Sequence, residues 1–514
     1  MMRQTLMFAV YLLLLLVAQP GYSAVHEISF ALPSNKLANK PSKHNGKILL
    51  LLPVPQKKLP LTSKLRLNAT KQTIAANFKV LATWPSVKGQ QYIRLLAIDI
   101  NVTAANMRQL TLSWSSASHA LNVEQLSEKE YHPRQLVYPS RAWLLQTILL
   151  HPAQTVASDW YLEPQKKYAH YVTNQALLRQ KGYPAQKATQ WLYDRPQAIY
   201  QLYLMSGDEQ WLNKANALAD FYINHIDENG IFKLKKRFDP KMLMPKGVLY
   251  RYLLSGDVKA KAALTRMFEK SLDWQASYRL TRGFWTERNQ AAALNVAISY
   301  WELTGEAKAL QRINELIDAT VAMTFNPVNN WPLRGCPQHS FKAHEGWGDN
   351  SAACSPWMMA LLGDALWRFY LLTEDQRAAA LLDSFGDFVL NYGIYYGNER
   401  VKNIVIPKYI VSIDNPKQEE LNQWTDPQHA CDVAALLGKS TYIKQQNKQD
   451  DFLVKTLFSA LLEQCAGSYL RLKQEQKSKR EKHYWVLKPP RRFAWMYSTT
   501  SDLPWLKEKL LAYD

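Results

Sequence analysis

Cysteine is scarce in this chain: four among 514 residues, Cys336, Cys354, Cys431 and Cys465, and no two form a CxxC pair. That spacing excludes zinc-ribbon and thioredoxin-type chemistry. The 19 glycines form no GxGxxG after a strand and no phosphate-cradling P-loop. A GxSxG elbow and an HExxH helix are missing too, which sets aside nucleotide-binding, serine-hydrolase and zincin classes. Long apolar runs are confined to Leu6–Val17, LMFAVYLLLLLV, and this is shorter than the roughly 20 residues a bilayer span needs. With Arg3 before it and Pro20-Gly21 and small residues after it, the run predicts a secretory signal peptide over 1–24 and a periplasmic or secreted destination, an uncleaved anchor being the alternative. No later stretch is able to cross a membrane. Acids are in deficit, with 43 Asp and Glu against 63 Lys and Arg, a formal charge of +20. An exported chain this basic suits a polyanionic partner such as an acidic polysaccharide; nucleic acid is not expected, since no recognition motif appears.

An oxidising compartment lets thiols pair. Cys336 and Cys354 bracket a Gly-rich loop and are the expected disulfide, a bridge of a size that contributes about 3 kcal/mol, with two free buried thiols as the alternative.

Two regimes of periodicity divide the chain. From residue 25 to about 140 it favours strands and predicts an antiparallel sandwich or distorted barrel. FKVLATW (Phe78–Trp84) puts Phe78, Val80, Ala82 and Trp84 on one face, YIRLLAIDINV (Tyr92–Val102) follows a turn centred on Gly89, and KILLLLPVP (Lys47–Pro55), ended by prolines, reads as an edge or terminal strand. Residues 141–167, with Pro152 and Pro164, read as a connector. After Tyr168 the period becomes helical, and one phrase recurs: YLMSGD at Tyr203, YLLSGD at Tyr252 and YWELTGE at Tyr300. Gly207, Gly256 and Gly305 stand at equal intervals of 49 residues. A helix-ending glycine followed by a capping acid, at a fixed period, predicts repeated helical hairpins. A fourth unit spans Ser355–Leu390 and a less regular fifth Gln428–Gln464, with insertions at 325–354 and 391–427 that are expected to wall a cleft on one rim. The hairpins occupy about 168–465, and a basic segment, 466–514, is expected to pack on them.

The segments WLYDRPQAIYQLYLMSGDEQWL, WTERNQAAALNVAISYWELTGE, SPWMMALLGDALWRFYLLTED and WTDPQHACDVAALLG resemble those of (α/α)-toroid carbohydrate-active enzymes, the polysaccharide lyases and six-hairpin glycosidases. FKVLATWP followed by YIRLLAIDINV resembles the amino-terminal barrel of exo-rhamnogalacturonan lyase-like proteins. The resemblance implies a β-domain followed by a toroid and a glycan as substrate. It specifies the fold more than the reaction, so chemistry has to come from the site.

In a toroid the inner helices start beside the cleft, and the residues that precede them are polar and aromatic. They are Tyr193, Asp194 and Arg195; Asp239 and Lys241; Trp285, Glu287, Arg288 and Asn289; Trp347, Asp349, Asn350 and Trp357; Trp424, Asp426 and His429. Rings beside charges suit sugars, which offer C–H faces to stack on and hydroxyls to bond. A lyase needs a cation on the uronate carboxylate and a base for the α-proton: Arg195 or Arg288, with His344, His429 or Tyr193. A hydrolase needs two carboxyls: Glu287 with Asp194 or Asp349. The basic charge favours an acidic substrate and hence the lyase. Each residue also has a plain structural reading: Asp194 as a helix cap, Glu287 and Arg288 as a solvated first turn, His429 and the tryptophans as core. His339, His344 and Glu345 fit no helical metal motif, and no metal or cofactor is expected. The rival from another class is a non-catalytic repeat protein that binds glycan or protein.

Overall fold

The computed structural model describes residues 26–32, 47–69, 72–86, 89–101, 109–126, 134–154, 158–174, 186–277, 285–327, 333–345, 348–397, 405–412, 426–475 and 492–512. The amino-terminal part is two four-stranded sheets. One has the order β1 (His26–Ala31), β7 (Gln109–Ser116), β3 (Ser63–Ala69), β4 (Gln72–Ile74); the other has β5 (Ala76–Thr83), β6 (Ile93–Asn101), β2 (Lys47–Pro53), β8 (Arg134–Leu136). All pairings are antiparallel except β2 with β8. Leu50, Leu52, Leu96 and Ile98 on one face of the second sheet pack against Leu67, Leu110 and Leu112 of the first. Its opposite face, with Leu49, Leu51, Leu95 and Ala97, joins the helical core.

Burial on both faces explains the unbroken leucine run of β2, since only a half-solvated strand must alternate. It also corrects the edge-strand expectation: β2 is central, held between β6 and β8, and Pro53 and Pro55 mark its end rather than an exposed side. The predicted single face of Phe78, Val80, Ala82 and Trp84 is corrected too. A register shift between Val80 and Thr83 divides them, so that Val80 enters the sandwich core while Ala82 and Trp84 enter the helical one.

Helices α1 (Arg141–Ile148) and α2 (Asp159–Val172) occupy the connector. Five inner helices follow, α3 (Arg195–Ser206), α5 (Pro245–Ser255), α7 (Glu287–Thr304), α10 (Pro356–Thr373) and α12 (Asp426–Gln446). Each pairs with an amphipathic outer helix: α4 (Glu209–Asn224), α6 (Val258–Ser271), α8 (Ala307–Phe325), α11 (Gln376–Tyr392) and α13 (Phe452–Glu475), while a short α9 (Phe341–Glu345) lies in the first insertion. The recurring phrase is the hairpin turn. Gly207, Gly256 and Gly305 take left-handed φ of 74°, 62° and 68° and return their N–H to Tyr203, Tyr252 and Trp301. Asp208, Asp257 and Asp375 then cap the outer helices through their carboxylates. In the fourth unit Glu374 accepts the left-handed position at φ 58°.

Inner helices pack in sequence from α3 to α12, and α12 packs on α15 (Leu503–Leu511). The ring is closed by α14 (Arg492–Tyr497) against α3 and α2, and by α2 against α13. The sixth hairpin is therefore discontinuous: its outer helix precedes the repeats and its inner helices come from the carboxy-terminal segment. The fold is a β-domain followed by an (α/α) toroid. The β-domain sits on the carboxy-terminal ends of the inner helices, where Tyr252 donates to Leu81 O and Arg134 to Ser255 O. At that junction Glu302 of α7 is gripped by Arg94 of β6 at 2.7 Å and by Arg368 of α10. Burial disfavours the Glu302 charge, yet the two guanidiniums hold its carboxyl below the ordinary range. Two disulfides are present, the expected Cys336–Cys354 and also Cys431–Cys465. No helix among the described residues is long and apolar enough to cross a membrane.

Candidate functional site

At the ring face opposite the β-domain, the starts of α3, α5 and α7 border a pocket of about 60 Å³ with Asp364 of α10 and Ser498–Thr499. Tyr193 and Asp194 open it, both in the left-handed region at φ 68° and 59°. Two successive non-glycine residues there carry strain of about 1–3 kcal/mol each. The strain is held by what Asp194 does: its Oδ1 accepts from Gln197 N at 3.0 Å, capping α3, and its Oδ2 accepts from Gly247 N at 2.9 Å, reaching the next hairpin. Burial pushes its carboxyl up to about 6, and the two amides and the Lys246 charge only partly oppose that.

Arg288 leans from the first turn of α7 across the mouth. Its Nη1 lies 3.4 Å from Tyr193 Oη, its guanidinium is 5.8 Å from the Trp357 ring centre, and its Nε is buried with no hydrogen-bond partner among the described residues. Lys241 lines the same pocket and holds Asp239 Oδ2 at 3.2 Å, while Asp239 Oδ1 is buried and has no hydrogen-bond partner among the described residues. Below the mouth runs an ion chain. Lys246 Nζ meets Asp364, which Lys439 also holds at 3.0 Å, and Lys439 reaches Asp502 at 3.4 Å. Burial opposes the Asp364 charge, but the two ammonium groups keep its carboxyl well below the usual range. A smaller cavity of about 30 Å³ continues inward past Gln197, Lys246 and Asp364.

Of the sequence candidates, Tyr193, Asp194, Lys241 and Arg288 share this pocket, and Asp239 adjoins it through its bond to Lys241. Arg195 turns away: buried, it donates to Gln190 O at 2.6 Å and lies over the Trp191 ring. Glu287 is wholly buried, accepting from His339 Nε2 at 2.9 Å and Ser355 N at 2.8 Å, so it fastens the disulfide-closed insertion to α7. Asn289 pairs with Thr286, and Trp285 donates to Ala276 O. Trp357 and His429 stack at 5.0 Å in an aromatic group with Trp495, Tyr409 and the edge of Tyr193. His429 Nδ1 is 3.2 Å from Asp432, and burial brings its pKa down to about 3. His344 is buried against Tyr409, with its pKa well below the ordinary value through burial and the neighbouring His339 and Arg288 charges. Asp349 and Asn350 are exposed, Asp349 accepting from Ser351. Trp347 and Trp424 lie outside the described residues; Asp426 opens α12, and its side chain is likewise outside them.

Sequence reasoning misses Lys246, Asp364 and Lys439. A signal for them exists, because Asp364 interrupts PWMMALLGDALWRFYLL, and a charge in a helix that is apolar all round requires a buried partner.

No family model matches the sequence, and no curated protein does. Solved structures that resemble it include a C. acetobutylicum glycoside hydrolase from family 105, 12% identical, covering 66% of this chain and 98% of that one with a TM-score of 0.45. An unsaturated glucuronyl hydrolase specific for heparin is 11% identical, covering 69% and 98% with a TM-score of 0.43. A cellobiose 2-epimerase from Bacillus thermoamylovorans is 12% identical, covering 55% and 76% with a TM-score of 0.38. At such identities and scores the likeness says nothing of substrate or reaction.

Proposed function

We propose that the protein is an exported carbohydrate-active enzyme that hydrolyses an acidic glycan at the pocket between α3, α5 and α7. The observation that carries this is Asp194: a carboxyl pushed up to about 6, in the same pocket as Arg288 and Lys241. A carboxyl in that range holds a proton near neutrality and can give it up in the reaction, which is what a general acid requires. Asp239, which does not itself line the pocket but holds Lys241, which does, through one oxygen, and whose other oxygen has no hydrogen-bond partner among the described residues, is assigned as the second carboxylate. In this reading Asp194 protonates the glycosidic oxygen, Asp239 acts as the base toward water, and Arg288 with Lys241 neutralises the carboxylate of the sugar. Two disulfides support an oxidising compartment.

One contact favours a second reading, β-elimination: Arg288 lies beside the Tyr193 phenol, a cation next to a candidate base. The products separate the two. Purified protein is incubated with pectic, alginate and glycosaminoglycan oligosaccharides while reducing ends and the absorbance of unsaturated ends are followed together. Hydrolysis gives reducing ends without new absorbance, and Asp194→Asn stops it; absorbance rising with the reducing ends replaces it with elimination. Neither signal from any acidic glycan sinks both readings and leaves a binding protein.

A further inference from the structure

A much larger cavity lies away from that pocket. A cleft of about 590 Å³ opens at the other end of the ring, where the β-domain meets the carboxy-terminal ends of α7 and α10. We propose that this junction cleft is a separate, non-catalytic binding site for an uncharged oligosaccharide.

Its size lies within the range of sites that bind small organic molecules. Its walls are fixed. Trp84, on the β-domain side, donates Nε1 to Val54 O at 2.8 Å and is covered by the Arg94 guanidinium 4.2 Å from its ring centre. The same Arg94 holds Glu302, the neighbour of Trp301 on the opposite wall, at 2.7 Å. An ion cluster buried across both domains therefore sets the spacing of the two buried tryptophans, so the floor of the cleft is formed before a ligand arrives and the protein's share of the ordering cost is reduced.

The chemistry of the lining differs from that of the other pocket. There, three cations, Arg288, Lys241 and Lys246, stand among two carboxyls, Asp194 and Asp364; here the charged lining is one cation, Lys57, and one anion, Glu374, and the rest is neutral. Tyr92 offers a half-buried ring, and Gln90 lies beside it, Tyr92 Oη donating to Gln90 Oε1 at 3.2 Å. On the ring side, α10 ends at Thr373 with Gln56 Nε2 on Leu372 O at 3.4 Å. An aromatic face beside amides, with no net charge, matches a neutral sugar, whose C–H face stacks and whose hydroxyls both donate and accept.

The test uses the intact protein and does not depend on the reaction. Cellotriose, maltotriose, xylotriose and mannotriose are titrated into wild type, Tyr92→Ala, Gln90→Ala and Arg288→Ala, with heat of binding as the readout and thermal unfolding as the folding control. At least one trisaccharide is expected to bind wild type; Tyr92→Ala weakens it about tenfold, Gln90→Ala several-fold, and Arg288→Ala leaves it unchanged. Should Tyr92→Ala misfold, the exposed Gln90 carries the test. The proposal is overturned if no trisaccharide binds wild type, if both folded cleft variants bind as wild type does, or if Arg288→Ala removes binding and so places the sugar at the opposite end. Activity on acidic glycans is not read, so failure here leaves the hydrolysis reading untouched.

Discussion

The main-chain N–H of Gly247 donates to Asp194 Oδ2 at 2.9 Å, and this bond fastens the second inner helix to the turn that starts the first. The approach is possible only because residue 247 lacks a side chain. A Cβ there would stand 2.5 Å from Asp194 Oδ1 and 2.7 Å from Pro196 Cβ. Helix propensity alone predicts that Gly247→Ala stabilises α5 by about 1 kcal/mol. Crowding predicts the reverse, a loss of about 1–3 kcal/mol in urea unfolding, because neither the carboxylate nor the proline ring has room to retreat. Unchanged or increased stability refutes the contact.

Asp194 also gives stability a definite dependence on pH. Its carboxyl is raised to about 6 in the fold, against 3.8 for an ordinary aspartate. Between those values the folded chain keeps a proton that the unfolded chain has released, so stability falls as pH rises through the window. The full effect is about 3 kcal/mol, complete above pH 6 and absent below 4. Asp194→Asn cannot ionise and lacks this slope. Urea unfolding of wild type and variant across pH 4 to 7 should show the wild type losing ground to the variant as pH rises; parallel curves would remove the shift. If Asp194 is the acid of the reaction, kcat falls above the same window.

Asp364 behaves in the opposite way, since it is the only carboxylate placed on Lys246 among the described ion pairs and shares Lys439 with Asp502. Asp364→Asn keeps the shape and removes the charge, leaving the buried Lys246 ammonium without an ion-pair partner among the described residues. The expected cost is about 3–5 kcal/mol in unfolding free energy. A change below about 1 kcal/mol means that the chain of charges is better solvated than its burial indicates.

How much of this can be read from the sequence depends on how local each cause is. The hairpins are legible because their turn chemistry lies within a few residues: a left-handed Gly207 and the capping Asp208 act on neighbours along the chain. β2 reads as an edge because Pro53 and Pro55 are visible in the sequence, while its parallel partner Arg134–Leu136 lies far along the chain. The sixth hairpin is not legible, since α2 and the α14–α15 pair come from opposite flanks and share no repeated phrase. A position just before an inner helix is what marks a site candidate. That places Asp194 in the pocket, but a single residue further the chain has turned, and Arg195 bonds Gln190 O instead. Glu287 and Arg288 divide in the same way, one buried under the insertion and one leaning over the mouth. Position along a helix start selects the neighbourhood; which side chain enters is decided by rotation of about 100° per residue.

Arg288 has donors to spare, and this gives the most direct test of the substrate's charge. Its Nη1 donates to Tyr193 Oη over a long 3.4 Å, and Nε has no partner among the described residues, so the fold draws little on this side chain. Arg288→Ala is expected to leave thermal unfolding nearly unchanged. On a glycan bearing a carboxylate at the cleaved sugar, losing a charge-assisted hydrogen bond of about 1.5–3 kcal/mol lowers kcat/KM by about 10- to 100-fold. Arg288→Lys keeps the charge but not the planar fork and should recover part of that loss. On the same glycan with the carboxylate reduced to an alcohol, wild type should already be slow, and Arg288→Ala should cost little more, because the partner is gone. Equal losses on both substrates would mean that Arg288 acts by holding Tyr193 in place rather than by meeting the sugar's charge.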